Sequence, residues 1–573
     1  LGIGCTRCGF MMGAGVARGA GAAPGEIRSA AKDISGVTTT AVEIAMSKAT
    51  IKVAATPFIL SVNRIFCVPA SKPDNDRRKS GADRRSSVRG NSSMTSSSDH
   101  PLKAPEADLV ARFAAIVGAD NAITAPHEQA PFLKEWRDLY VGRAAVILKP
   151  GSTQEVSSIL ALANAEGVGV VAQGGNTGLV GGQIPSETGA EIVLSLTRMK
   201  TIRNLDADGG AMTVEAGVTL ADAQKAAQSV GRLFPLSLAS EGSATIGGCL
   251  ATNAGGVSVL SYGTARALVS GLEVVLADGQ VWDGLRALKK DNTGYDLRDL
   301  FVGSEGTLGI ITAATLRLFP EPAARATGFA ALPGLDALLP FFQLAEANAG
   351  ASLTAFEFMS GDLLSFVTRH IHGARPPLPG NAPWYVLLEI SGGDEQASQL
   401  LEALLSHASH AGLVSDATVA ASLSQASELW RLRESASESQ KGEGGSIKHD
   451  ISVPVGKIPE FLVEAGDVVQ RVCPGARPVP FGHFGDGNVH YNVSQPVGMA
   501  RDAYLALWEE MSRAVHDVVI RTGGSISAEH GIGRLKRDEL VRVKSAVEID
   551  LMRRIKSALD PKGILNPGKV VAR

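Results

Sequence analysis

At 573 residues the chain is too long for one ordinary hydrophobic core, so two or three domains are expected. Its 45% apolar and 20% charged residues are those of a globular protein, and a net charge of −3 without a basic stripe argues against a nucleic-acid partner. Only Cys249 and Cys473 lie beyond residue 100, too few for a disulfide framework, and no apolar run reaches the roughly 18–20 residues of a membrane span.

Residues 1–100 differ from the rest. An Ala/Gly-rich start passes into a basic run from Asp76 to Arg89 and a serine cluster from Ser92 to Ser98. Such a stretch has little to bury and is expected to be a disordered leader. Cys5 and Cys8 form a CxxC without a second pair, which reads as chance. Met94 is expected to be the true start, with a cytoplasmic location; a transit peptide and a mitochondrial location are the alternative.

From about Pro105 the chain reads as folded. Ala145–Leu148 is strand-like. Thr153 opens a helix with Val156, Ile159, Leu160 and Ala163 at helical spacing, Gly167 ends it, and Val168–Val171 is a second strand. This is a β-α-β unit. Strands follow at Ile192–Leu196, Met212–Val214, Leu272–Leu276 and Ile310–Leu318, giving an α+β domain over 101–325. Pro320 and Pro322 mark its end. A second α+β domain over 326–520 has helices expected at 335–348, 396–410 and 421–440 and strands at Tyr385–Ile390 and Ile447–Val453. Residues 521–573 read as a helical segment closing with Asn566-Pro567-Gly568-Lys569.

Three glycine loops stand out in the first domain. The first holds Gly174, Gly175, Asn176, Thr177, Gly178, Leu179 and Gly182. The second holds Gly242, Ser243, Gly247 and Gly248, then Thr252, Asn253 and Gly255. The third runs from Gly303 to Thr312 and includes Gly309 and Ile311. Glycine lets backbone N–H groups approach a phosphate closely. Neither GxGxxG nor a Walker Gly-Lys-Ser/Thr is present, so the loops suit a long cofactor lying across several strand ends.

In order and spacing these loops resemble the FAD domain of the vanillyl-alcohol oxidase / p-cresol methylhydroxylase superfamily. Within it the chain is similar to the D-2-hydroxyglutarate and D-lactate dehydrogenase family, from about residue 105 onward. The resemblance implies an FAD domain of two α+β subdomains, a substrate cap, and FAD contacts from the three loops and Asn566. Some superfamily members attach FAD through a histidine. None occurs here between His127 and His370, so FAD is expected to be non-covalent. Relatives often read Asn after the Gly-Gly pair where Cys249 stands, and Gly in place of Ala239; both changes are small in volume.

A second motif runs from Phe481 to Val493 and contains His483, Asp486-Gly487, His490 and Asn492. Asp-Gly is a strong hairpin signal. With Asp486-Gly487 as a two-residue turn, His483 and His490 sit directly opposite each other, and Asn492 shares their face. A pair of core histidines is the bland alternative, but a matched pair suits a metal. Glu529 could supply a carboxylate while the adjacent His530 faces substrate. The resemblance assigns His483, His490 and Glu529 as ligands and His530 as catalytic base. Zinc is expected, with manganese or iron suiting the same set.

Arg433 and Ser437 are expected on one helix face, and Lys448 leads into a strand. The family uses Arg, Thr and Lys at these positions for a distal carboxylate; here Ser437 replaces Thr. With Asn492 and His530 they form the expected substrate set for a small 2-hydroxy acid, D-2-hydroxyglutarate above all. Competing readings are a D-lactate or glycolate dehydrogenase, a zinc hydrolase and a non-catalytic flavin-binding subunit. The electron acceptor stays open among electron-transfer flavoprotein, quinone and cytochrome, and a homodimer is an allowed assembly.

Overall fold

The computed structural model describes residues 102–572; the leader, its Cys5 and Cys8 and the expected start at Met94 lie outside them. The β-α-β unit forms where its spacing predicts. Ser152 caps the helix Thr153–Glu166 by accepting from the Glu155 amide, and Gly167 ends it in the left-handed region at φ 73°. Val156, Ile159, Leu160 and Ala163 are buried in the core over a four-stranded sheet. That sheet is ordered Ala122–Ile123, Ile147–Leu148, Glu191–Ser195, Gly169–Gln173, and its last three strands are parallel. The end of the chain returns to it. Leu565 bridges Val170 in parallel, and Ile564 and Leu565 are fully buried in the same core.

A second sheet is antiparallel: Ile202–Asp206, Ala211–Glu215, Ile310–Arg317, Val269–Val275, Val281–Gly284. The first glycine loop leaves the strand Gly169–Gln173, and the third feeds the strand Ile310–Arg317. The second forms the short helix Ile246–Ala251, capped by Thr245.

The third sheet begins beyond Pro322. Its order is Asp416–Val419, Ala324–Leu332, Trp384–Gly392, Leu353–Ser360, Phe481–His483, Asn488–Ser494, Ser446–Ser452, with Arg477–Pro478 pairing beside Asn488–Ser494. Its side chains alternate between two cores. Phe356, Phe358, Val386 and Leu388 enter one, while Met359, Tyr385 and Leu387 enter the other. Both faces are therefore covered, which is why Tyr385–Ile390 reads as a nearly unbroken apolar run.

The helix expected over 421–440 is broken. Leu423–Glu434 is one helix, Ala436–Ser439 a separate turn and Gln440–Glu443 a 3-10 turn. Serines at 435, 437 and 439 and glycines at 442, 444 and 445 favour turns over helix interiors. Arg433 and Ser437 thus come from two elements rather than one, Arg433 buried and Ser437 exposed. Among the described residues no helix is long and apolar enough to cross a membrane.

Candidate active site

The third sheet carries a polar stripe on one face. Glu357 lies opposite His483, Asp450 opposite His490, and Lys448 opposite Asn492. Directly paired residues share a face, so these side chains converge. The hairpin that delivers the histidines differs from the expected one. Its connection has four residues, with a 3-10 turn at Phe484–Asp486 and Gly487 left-handed at φ 83°. His483 therefore opposes Asn488, and His490 opposes Phe481. Two contacts select the longer loop. Phe484 is fully buried against Phe342, Phe356 and Phe358, and Asp486 accepts from the Asn488 amide at 2.9 Å. The register moves by two residues, and only a one-residue slip would have flipped a histidine to the other face. The two rings stay 5.7 Å apart.

His483 Nε2 lies 3.7 Å from Glu529 Oε1, and donor atoms of His483, His490 and Glu529 all fall within 4.8 Å of one another. Two imidazoles and a carboxylate at such distances fit a divalent metal. The opposite edge of His483 is held: its Nδ1 is 2.7 Å from Glu357 Oε1, so Nε2 is the free ligand atom. A carboxylate behind a histidine is the usual support of a metal ligand. Burial opposes charge on His483, but Glu357 outweighs it and raises the imidazole to about 9. A metal on Nε2 would take the place of that proton.

Asp450, His490 and His530 also converge. Asp450 Oδ2 accepts from the amides of Glu529 and His530 at 3.1 and 2.9 Å, and lies 3.5 Å from His530 Nδ1. On the other side Glu305 accepts from the amides of Ile532 and Gly533 at 2.7 and 2.8 Å. The Ser527–Gly533 loop is thus clamped between a carboxylate of the third sheet and one from the third glycine loop. Burial holds His530 below the ordinary histidine value, and Asp450 opposes that shift. A neutral, oriented imidazole is what a general base requires.

A cleft of about 760 Å³ opens beside this cluster, within the usual range for a cofactor site. Its walls include Gly174, Gly175, Asn176, Thr177, Gly178, Leu179 and Gly182 from the first loop and Ser243, Gly247, Gly248, Thr252 and Gly255 from the second. Gly309, Ile311 and Asn566 complete the expected set. Asn566 donates to the carbonyls of Gly182 and Glu305 at 3.0 and 2.7 Å, tying the first loop to the third. Two expected contacts do not reach the cleft. Gly242 is not among its walls, and the Asn253 carboxamide turns to the Arg266 amide at 3.0 Å.

The first two loops touch. A Cβ on Gly175 would stand 1.7 Å from the Ser243 carbonyl oxygen, and one on Gly174 would stand 2.2 Å from Thr245 Oγ1. Backbone cannot yield to that overlap, so Gly175→Ala is expected to force the loops apart and lose the flavin. The ratio of flavin to protein absorbance checks it; a full flavin complement in the purified variant would contradict the cradle.

Ser437, Lys448, Asn492 and His530 also line a smaller pocket of about 90 Å³. Arg433 lines the larger cleft instead, with Nε and Nη2 each 2.9 Å from Glu357 Oε2. Lys448 donates to the Ser437 carbonyl at 3.3 Å; burial, with repulsion from Arg137 and Lys441, pushes it down to about 8. Sequence reasoning missed Glu357, Asp450, Glu305 and Arg137. Glu357 had a signal, a lone acid inside the apolar strand Leu353–Ser360. Asp450 and Glu305 had none, since only the folded chain shows that they hold amides from a distant loop.

Residues 144–284 match a family described as an FAD binding domain, and residues 321–570 match the C-terminal domain of FAD linked oxidases. D-2-hydroxyglutarate dehydrogenase of Xanthomonas citri pv. viticola is 39% identical over 447 residues, 78% of this chain and 93% of the relative. The mitochondrial D-2-hydroxyglutarate dehydrogenase of Bos taurus is 39% identical over 469 residues, 81% of this chain and 84% of the relative.

The chain belongs to the D-2-hydroxyglutarate dehydrogenase family of FAD-linked oxidoreductases.

Another member of this dehydrogenase family, the D-2-hydroxyglutarate–pyruvate transhydrogenase of Saccharomyces cerevisiae, is 34% identical over 82% of this chain and 95% of its own length. The fold is that of p-cresol methylhydroxylase with substrate bound, at TM-score 0.66 and 17% identity over 81% of this chain and 96% of that one. The matched FAD binding domain, residues 144–284, contains the first two glycine loops, and both line the cleft.

Proposed function

We propose that the chain oxidises D-2-hydroxyglutarate to 2-oxoglutarate, with FAD held non-covalently and a divalent metal, zinc foremost, held by His483, His490 and Glu529. The observation that carries the reading is the meeting of that ligand set with His530 in the wall of the cleft that the glycine loops line. FAD, when bound, would supply the two-electron oxidant for loss of the C2 hydrogen. The metal, held by His483, His490 and Glu529, would supply a Lewis acid for the 2-hydroxy acid group. His530 takes the hydroxyl proton on Nε2, because Asp450 faces Nδ1. Asn492 and Lys448 bind carboxylate oxygens from the strand edge, with Ser437 and Arg433 beside them. The final electron acceptor would be an electron-transfer flavoprotein, a quinone or a cytochrome.

One observation favours a second reading. Arg433 Nε already donates to Glu357, so a monocarboxylic acid such as D-lactate would leave only Nη2 on that edge without a hydrogen-bond partner. Anaerobic mixing with D- and L-2-hydroxy acids separates the two. D-2-hydroxyglutarate is expected to bleach the flavin fastest, and D-lactate slowly. Faster bleaching by D-lactate would favour the second reading, and none by any D-acid would end both.

Lys448→Ala sharpens the contrast. Losing a hydrogen bond to a charged partner costs about 1.5–3 kcal/mol, or roughly 10- to 150-fold in kcat/KM for D-2-hydroxyglutarate. D-lactate, without a second carboxylate, is expected to be spared. Equal losses for both acids would mean that Lys448 does not read the distal group.

A further inference from the structure

The loop after the helix Pro126–Leu133 has a built shape. Lys134 and Val141 bridge across it. Glu135 is 2% exposed, and its oxygens accept from the amides of Arg137 and Leu139 at 2.6 and 2.5 Å. Asn176 of the first glycine loop donates to the carbonyls of Pro131 and Lys134 at 3.0 and 2.9 Å. Lys441, from the turn Gln440–Glu443, lies 4.5 Å from the Trp136 ring. Asp138 adopts φ 61°, turning the chain sharply behind Arg137. A buried carboxylate used on the loop's own amides holds the tip in one conformation.

What the tip presents is Arg137. Its side chain lines both the small pocket and the flavin cleft, beside Lys448 and His530. The other cations of the site have protein acceptors: Arg433 has Glu357, Lys448 the Ser437 carbonyl, and Lys536 the carbonyls of Ile526 and Asp450. The guanidinium of Arg137 makes no hydrogen bond or close ion pair among the described residues, and the carboxylates of Glu135 and Asp450 attract it only from farther off. A half-buried cation facing a second cation is unfavourable unless an anion joins them. A planar guanidinium is suited to a carboxylate, which it grips with two parallel N–H groups.

We propose that Arg137 is a specificity-determining residue, which with Lys448 takes the terminal carboxylate of a dicarboxylic 2-hydroxy acid. The distal clamp is then shared between the flavin domain and the third sheet, and Arg433 serves chiefly to hold Glu357 behind His483. This rests on the dicarboxylate reading above.

The test compares holoenzyme with and without Arg137→Ala and Arg137→Lys. Two quantities are read: kcat and KM for D-2-hydroxyglutarate and D-lactate, and the Kd of 2-oxoglutarate and pyruvate from the flavin absorbance change. With Arg137→Ala, KM for D-2-hydroxyglutarate and Kd for 2-oxoglutarate are expected to rise roughly tenfold or more, with the values for D-lactate and pyruvate unchanged. Arg137→Lys is expected to recover part of the loss, and it carries the test alone if the alanine variant does not retain FAD. Unchanged 2-oxoglutarate binding, or equal loss for dicarboxylate and monocarboxylate, would overturn the proposal. A wild-type enzyme that ignores D-2-hydroxyglutarate would refute the substrate reading, while the 2-oxoglutarate and pyruvate affinities would still decide the role of Arg137.

Discussion

Stripping divalent metal from the holoenzyme is expected to abolish turnover and leave FAD in place. The proposed sites of the two groups are on separate parts of the chain. The glycine loops that line the cleft belong to the first two sheets, whereas two of the three proposed metal ligands, His483 and His490, stand on a hairpin of the third. One link joins them, since Glu529 accepts from the Gly256 amide at 2.8 Å. His483→Ala or His490→Ala is expected to mimic chelation. Glu357→Gln should act more gently: it keeps the shape behind His483 but not the charge, and such support is worth about 10- to 100-fold in metal affinity. Metal content by elemental analysis, flavin content by absorbance and turnover are read together. Full activity in verified metal-free protein would refute the metal assignment, whereas Glu357→Gln with unchanged metal affinity would refute only the supporting role of Glu357.

His530→Ala is expected to lower kcat by about 10²–10⁴-fold, the usual worth of a general base. Metal and FAD should both be retained, because the backbone of residue 530, not its ring, is what Asp450 holds at 2.9 Å. The ring itself lies 6.1 Å from that of His490, stacked at 23°, near enough to share the substrate without being needed as a ligand. Asp450→Asn should be less specific. Asp450 carries the loop amides and faces His490, His530 and Lys536 together, and those partners hold its carboxyl well below the usual range despite burial. Its loss therefore disturbs loop, base and ligand at once. A His530→Ala enzyme that turns over within about threefold of wild type, with metal and FAD present, would remove His530 from the proton step.

The glycine loops and the matched histidine pair were readable in the chain because they rest on local rules, whereas FAD as the cofactor and Glu529 as third candidate ligand came from the family resemblance. Glycine runs at strand ends mark close backbone approach, and Asp486-Gly487 marks a hairpin whatever surrounds it. The face of His483 and His490 survived even a wrong turn length, since side-chain alternation tolerates a shift of two. The substrate end was less readable. Arg433 and Ser437 seemed joined by one helix, but the serines that follow end it, and Arg433 turned out to be paired with Glu357.

Residue type and short-range spacing determined that this chain carries three glycine loops suited to a long cofactor and two histidines beside an Asp-Gly turn. Tertiary structure alone decided the electrostatics. Glu357 and His483 are 126 residues apart, Glu305 and Gly533 are 228 apart, and no periodicity links either pair. A buried charge is tolerated only where a partner meets it, and which partner meets it depends on how the sheets and returning loops come together. That is why Asp450, Glu305 and Arg137 could be recognised only once the chain was folded.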